Sequence, residues 1–311
     1  MSLLFNRNYR LEIEGNGVLT TITQLRIEFL CKKNRSSTAN EMTVKVYNPN
    51  RDTINQSLSS GAIARLYAGY GDDIKLIAQS QITTAYPSKQ GVDTILTLEC
   101  LDGIENIRKT KVSISFQRGS TVKQVLNAIV TYLQLPLKVA PDVDLSAQFN
   151  NGYSYAGGVG VALDEVTSRA FAKWTIQDGI LLVLGQLGTT NTIAVYLTPE
   201  TGLIGIPTPV EDTVNSLEVG EIRRGYKFTS LLQGDILPSD KISIKSKYVD
   251  SEYIVESVEH KGDTHAKDWI SEVVCYDKEV KEKRTEKGKE KKKTQAINTV
   301  AKFGEFKIEE N

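Results

Sequence analysis

A segment around Cys100 returns near the end of the chain, around Cys275. The first copy, Gln81 to Asp102, reads QITTAYPSKQGVDTILTLECLD; the second, Tyr253 to Asp277, reads YIVESVEHKGDTHAKDWISEVVCYD. Each is a strand, a turn rich in Lys, Gly and Asp, and a second strand that ends Cys-x-Asp. A pattern repeated at that range predicts one small β module used twice, with something different between the copies. It also bears on function. Two equivalent surfaces per subunit help to match unlike symmetries and do much less for catalysis.

The 311 residues are enough for two or three domains, each with its own core. Lys plus Arg and Asp plus Glu both number 38, so net charge argues for neither nucleic acid nor a membrane as partner. The balance is local. Residues 278–293 carry nine basic and four acidic side chains, which leaves the rest net acidic by five. Apolar runs such as Ile180 to Leu184 are far too short to span a bilayer. The first residues lack the apolar core of a signal peptide, so folding in a cytoplasm is expected. The three cysteines, Cys31, Cys100 and Cys275, form no Cys-x-x-Cys pair. Each closes an alternating stripe (Leu25/Ile27/Phe29/Cys31, Leu96/Leu98/Cys100, Trp269/Ser271/Val273/Cys275), which reads as a buried thiol on a strand. A Cys31–Cys100 disulfide is the competing reading.

The organisation predicted is mainly β with an inserted α+β domain. Residues 1–102 form a first small barrel or rolled sheet, from alternation at Tyr9-Leu11-Ile13, Leu25–Cys31, Met42-Val44-Val46 and Ala64-Leu66-Ala68, with one short helix in 51–60. Residues 103–214 form the α+β middle domain. Thr121-x-x-Gln124 is a capping box ahead of Val122, Val125, Leu126, Ile129, Val130 and Leu133 at helical spacing. A second helix is expected from near Leu163 to Ala172, with Asp164 and Glu165 in its first turn. Gln177-Asp178-Gly179 is a hairpin turn. Residues 215–277 form the second small barrel. Residues 278–311 are too polar to bury a core and are expected to be disordered or to order on a partner.

Chemistry is sparse. His260 and His265, with Asp263 or Asp268, fall short of a metal set, and the reading taken is a polar hairpin loop with two exposed imidazoles. The glycine-rich stretch Tyr155–Glu165 reads as a flexible connection into a helix, because Asp164 and Glu165 would repel a phosphate. The basic run at 278–293, interspersed with Glu, reads as a solvated linker. No catalytic residue, metal or cofactor is expected.

The third β segment brings a resemblance. Gly225–Asp240, GYKFTSLLQGDILPSD, followed by Tyr253–Trp269, resembles the baseplate hub proteins of contractile-tailed bacteriophages. Leu25–Phe29 (LRIEF), Val46–Asn50 (VYNPN) and Leu66–Tyr70 (LYAGY) are similar to that family's first domain, and order and spacing carry the match. The resemblance implies two tube-like β-barrel domains per subunit and a homotrimeric, pseudo-six-fold ring. Such a ring would join the six-fold tail tube to the three-fold spike around the DNA channel. It also implies a virion-baseplate location after assembly in a bacterial cytoplasm. The implied partners are the spike and the tube or tube-initiator proteins, with tape measure and baseplate wedge proteins beyond them. DNA would be passing cargo only, and this chain would insert into no membrane. Two other readings stay open: a tail-associated enzyme acting on peptidoglycan or carbohydrate, and a nucleic-acid-binding β barrel. Phe303, Phe306 and Ile308, near-alternating in the tail, are the candidate partner-binding residues.

Overall fold

The computed structural model describes residues 5–185, 188–189, 195–214, 221–277 and 282–283. Phe303, Phe306 and Ile308 lie outside these residues.

The first β module contains β1 (Arg7–Gly15), β2 (Val18–Ile22), β3 (Ile27–Asn34), β4 (Glu41–Tyr47), α1 (Arg51–Ser57), β5 (Ile63–Tyr70), β6 (Asp73–Gln90) and β7 (Asp93–Leu101). Its strands run in the order β2-β1-β5-β6-β7-β4-β3. Strict alternation puts Leu11, Ile13, Ile27, Phe29, Cys31, Met42, Val44, Leu96, Leu98 and Cys100 on one buried face. Asn50 caps α1 through the Thr53 N–H, and that helix covers the end of the core.

The middle domain follows. It comprises α2 (Ile104–Lys109), β8 (Lys111–Phe116), β9 (Ser120–Thr121), α3 (Val122–Leu133), β10 (Leu137–Val139), β11 (Gln148–Phe149), β12 (Tyr153–Gly158), α4 (Val159–Arg169), β13 (Ala172–Gln177) and β14 (Ile180–Gly185). The Thr121–Gln124 capping box is present, and α3 buries Val122, Val125, Leu126, Ile129 and Leu133 as its spacing requires. Two expectations change here. Tyr155–Gly158 belong to a strand that pairs antiparallel with β8 and runs directly into α4. The second helix starts at Val159, so Asp164 lies within it and accepts from Trp174 Nε1 at 2.7 Å.

The second β module consists of β15 (Val195–Leu197), the 3-10 turn Pro199–Thr201, β16 (Leu203–Val214), β17 (Glu221–Leu231), β18 (Lys241–Lys245), β19 (Asp250–Asp263) and β20 (Trp269–Tyr276). A boundary at 214/215 would cut this unit, because β15 pairs with β18 and β16 pairs with β17. Continuous pairing therefore places 195–214 with the second module. From the tail, β21 (Glu282–Lys283) lies against the start of β17.

The duplication is a structural fact. Cys100 faces Met42 on β4 and Ile82 on β6; Cys275 faces Tyr226 on β17 and Val255 on β19. Each long strand is bulged by one residue directly after the cysteine's partner, at Thr83 and at Glu256. The Cys-x-Asp ending repeats as well, with Asp102 N–H donating to Asn40 and Asp277 N–H to Arg224. Hence β3, β4, β5, β6 and β7 correspond to β16, β17, β18, β19 and β20. The copies differ at the rim, where β1 runs antiparallel to β5 but β15 runs parallel to β18. Each module is a rolled sheet, and β3 of the first and β19 of the second join the modules.

Candidate assembly edges and channel face

β3 of the first module pairs with β19 of the second, Glu28–Asn34 against Ser257–Asp263, and this fuses the two sheets into one. The seam is locked at its far end by the β19–β20 turn. Arg7 donates to the carbonyls of Asp263, Ala266 and Lys267, while Arg26 pairs with Asp263 at 2.8 Å. Burial alone would raise the Asp263 carboxyl. Arg26 and the N–H groups of His265 and Ala266 outweigh it and hold the group below the usual range. Trp269 is 1% exposed and sits in the core of the first module, edge-on to Phe29 at 5.4 Å. Its Nε1 donates to Gly69 O at 3.2 Å. The approach requires glycine at 262, where a Cβ would lie 2.3 Å from the Phe29 ring.

His260, expected in an exposed loop, is instead a seam residue with no exposure, opposite Cys31. Its Nδ1 meets Ser271 Oγ at 2.8 Å. Burial and then Lys33 push its pKa down to about 3, so it is neutral. The parity of Val258, His260 and Gly262 was the signal that could have placed it inward. His265 is exposed, and no group of metal ligands forms among the described residues. The three cysteines are buried and free, so the Cys31–Cys100 disulfide is absent; Met42 stands between them in register.

A polar latch holds the middle domain to this frame. The Gln177–Gly179 turn has positive φ at Asp178 and Gly179 and points into the first module. There Lys33 Nζ meets Asp178 at 2.7 Å, Asn40 donates to Ile176 O and Gln177 Oε1, and Gly179 N–H donates to Asp102. Burial, and next the neighbouring Asp178, raise the Asp102 pKa to about 6.

The face of the sheet opposite the core is polar and crosses the seam without a break. Lys32, Lys45, Lys227 and Lys261 alternate there with Glu28, Glu41, Glu99, Glu259 and Glu272 in cross-strand register. The pairs Lys261–Glu272 at 2.8 Å, Lys45–Glu28 at 3.2 Å and Lys227–Glu272 at 3.6 Å compensate one another. Exposed pairs of this kind add little stability; what they produce is a surface of low net charge. Finally, the two edges that correspond to the strands of the seam stay unpaired among the described residues. One is the outer edge of Thr83–Gln90 on β6, largely exposed, and the other is the outer edge of β16. They are the counterparts of β19 and β3.

Comparison with solved structures bears directly on this architecture. A tail protein from Neisseria meningitidis MC58 superposes with a TM-score of 0.62 at 9% identity, over 88% of this chain and 97% of that one. The fold is that of bacteriophage tail proteins. The 43 kDa tail protein of prophage MuSo2 from Shewanella oneidensis gives 0.60 at 9% identity, covering 86% of this chain and 100% of that one. An Escherichia coli type VI secretion component, described as structurally similar to the T4 tail proteins gp27 and gp5, gives 0.50 at 8% identity. There the coverage is 85% of this chain and 76% of the other. No family model matches the sequence, and no curated protein matches it.

Proposed function

We propose that this chain is the structural hub of a contractile tail baseplate, a homotrimer whose six β modules ring a channel between the six-fold tube and the three-fold spike. One observation carries the reading. The two modules of a single chain are joined edge to edge through β3 and β19, and the corresponding edges, β16 and the Thr83–Gln90 stretch of β6 beyond β5, carry no partner among the described residues. Repeating the internal junction between chains is a heterologous contact, which closes into a ring when the rotation permits. Three copies supply six modules, and the tail-protein fold supports that use.

The compensated Lys/Glu face is the channel wall in this reading. A basic wall would retain the phosphates of passing DNA, whereas a wall of paired charges does not. The work of such a protein is assembly, and no residue is assigned to catalysis. The spike and the tube-side proteins are its neighbours, and Phe303, Phe306 and Ile308 are the residues proposed to bind the spike or another copy of this chain. Electron microscopy of the purified particle, viewed down its axis, tests this: six similar lobes around an opening support it, and a compact particle without an opening refutes it.

A further inference from the structure

The chain holds one closed seam and the two halves of another, and the halves carry residues that the closed seam lacks. In the closed seam Thr264 N–H donates to Ile27 O and Arg35 N–H to Glu256 O, so even residues of β19 and odd residues of β3 point at each other. Matching the modules through Cys100 and Cys275 aligns Thr83–Gln90 with Glu256–Asp263. Matching Met42 with Tyr226 aligns Cys31 with Pro209, and Asn34 with Asp212. Pro87 therefore stands where His260 does and Pro209 where Cys31 does, and His260 and Cys31 are direct partners.

Both prolines aim their nitrogen outward. Asp102 N–H bonds Asn40 O, which turns the even residues of β7 toward β4; Leu96, opposite Pro87, makes no bond to β6. Arg224 O accepts from Asp277 N–H, which turns the even residues of β17 toward β20; Tyr226, opposite Pro209, makes no bond to β16. Each proline leaves its own hairpin intact and strips a donor from the free edge.

We propose that neighbouring copies join only through a short ladder, Thr83–Ala85 of one β6 against Glu211–Thr213 of the next copy's β16, ended where Pro87 faces Pro209. This rests on the ring reading above. The groove beside Thr83–Ala85 is walled by Ser59–Gly61 and by Arg108 and Lys109 of α2. Its counterpart in the second module lies between Ser239 and Glu256 and is filled by Arg35, which is fully buried and donates to Ser239 Oγ at 3.0 Å. The groove on the first module accordingly receives the main chain of the second copy at Thr213. The facing prolines make the seam between copies weaker than the seam within one, and they keep lone chains from pairing along these edges.

The test uses the full chain with introduced cysteine pairs, T84C with D212C inside the short ladder and S88C with T208C beyond the prolines. After mild oxidation the first pair is expected to give covalent trimer and the second little. The double variant P87T/P209T, checked for an unchanged melt, restores two donors per seam. It should tighten subunit association roughly tenfold or more and allow the second pair to cross-link. Equal cross-linking of both pairs in the proline-containing chain overturns the short ladder, as does looser association of P87T/P209T. A trimer by mass in which neither pair cross-links overturns the register and leaves the ring standing. A monomer without cross-links overturns both.

Discussion

Replacing Trp269 by Ala should separate the two modules before it unfolds either. The indole belongs by sequence to β20 yet packs into the first module's core, and Leu231 and Leu232 reach across beside it. Truncating a buried Trp to Ala costs about 3–5 kcal/mol in lost contact and cavity. The Gly69 carbonyl also loses its Nε1–H donor, adding about 1 kcal/mol. A total near 4–6 kcal/mol falls on the seam and leaves the second module's own cluster around Phe228, Val255 and Val273 untouched. Trp174, the other tryptophan of the chain, then reports the middle domain alone. Urea denaturation followed by fluorescence and by far-UV circular dichroism should change from one transition to two. Trp269→Phe keeps the contact with Phe29 and should cost only about 1–2 kcal/mol, chiefly the hydrogen bond. If Trp269→Ala cost less than about 2 kcal/mol with a single transition, the seam would not be what couples the modules.

Three other perturbations follow from the same geometry. Because burial raises the Asp102 pKa to about 6, the folded state holds that proton longer than the unfolded chain does. The favourable contribution is therefore complete below about pH 4 and lost as pH rises through 6. Asp102→Asn should flatten that part of the pH–stability curve and raise neutral-pH stability by up to about 3 kcal/mol, read by denaturation from pH 4 to 8. Gly262→Ala forces a methyl against Phe29 and Trp269; a loss of about 1–3 kcal/mol is expected, while the same change at exposed Gly17, with nothing near its Cβ position, should not disturb the seam. Ending the chain at Asp277 should leave the melt of the modules nearly unchanged and weaken capture of a partner, read by pull-down from assembling tails.

Much of the fold was legible because period-two alternation and the Cys-x-Asp echo are local signals. The hairpin Tyr253–Asp277, the α3 capping box and the buried cysteines could be read from neighbours in sequence alone. The seam could not, since β3 and β19 meet across most of the chain and each also satisfies the pattern of a half-buried strand. His260 went unread for that reason: the surface that buries it comes from Cys31 and its strand. The glycine-rich β12 lacked the β-branched residues that announce a strand, and its partner β8 lies beyond α3 in sequence. The split at 214/215 followed the return of the β pattern at Leu217, whereas the structure pairs β16 with β17 across that boundary. Pro87 and Pro209 were visible throughout, but their meaning depends on which edge their nitrogens face.

The claim that the leftover edges complete a ring is tested most directly by the mass of the purified full-length particle, measured by native mass spectrometry across a range of concentrations. The account predicts one dominant species at three times the mass of the chain, with no ladder of larger multiples. A stable monomer or dimer, or an open series of higher multiples, would contradict it.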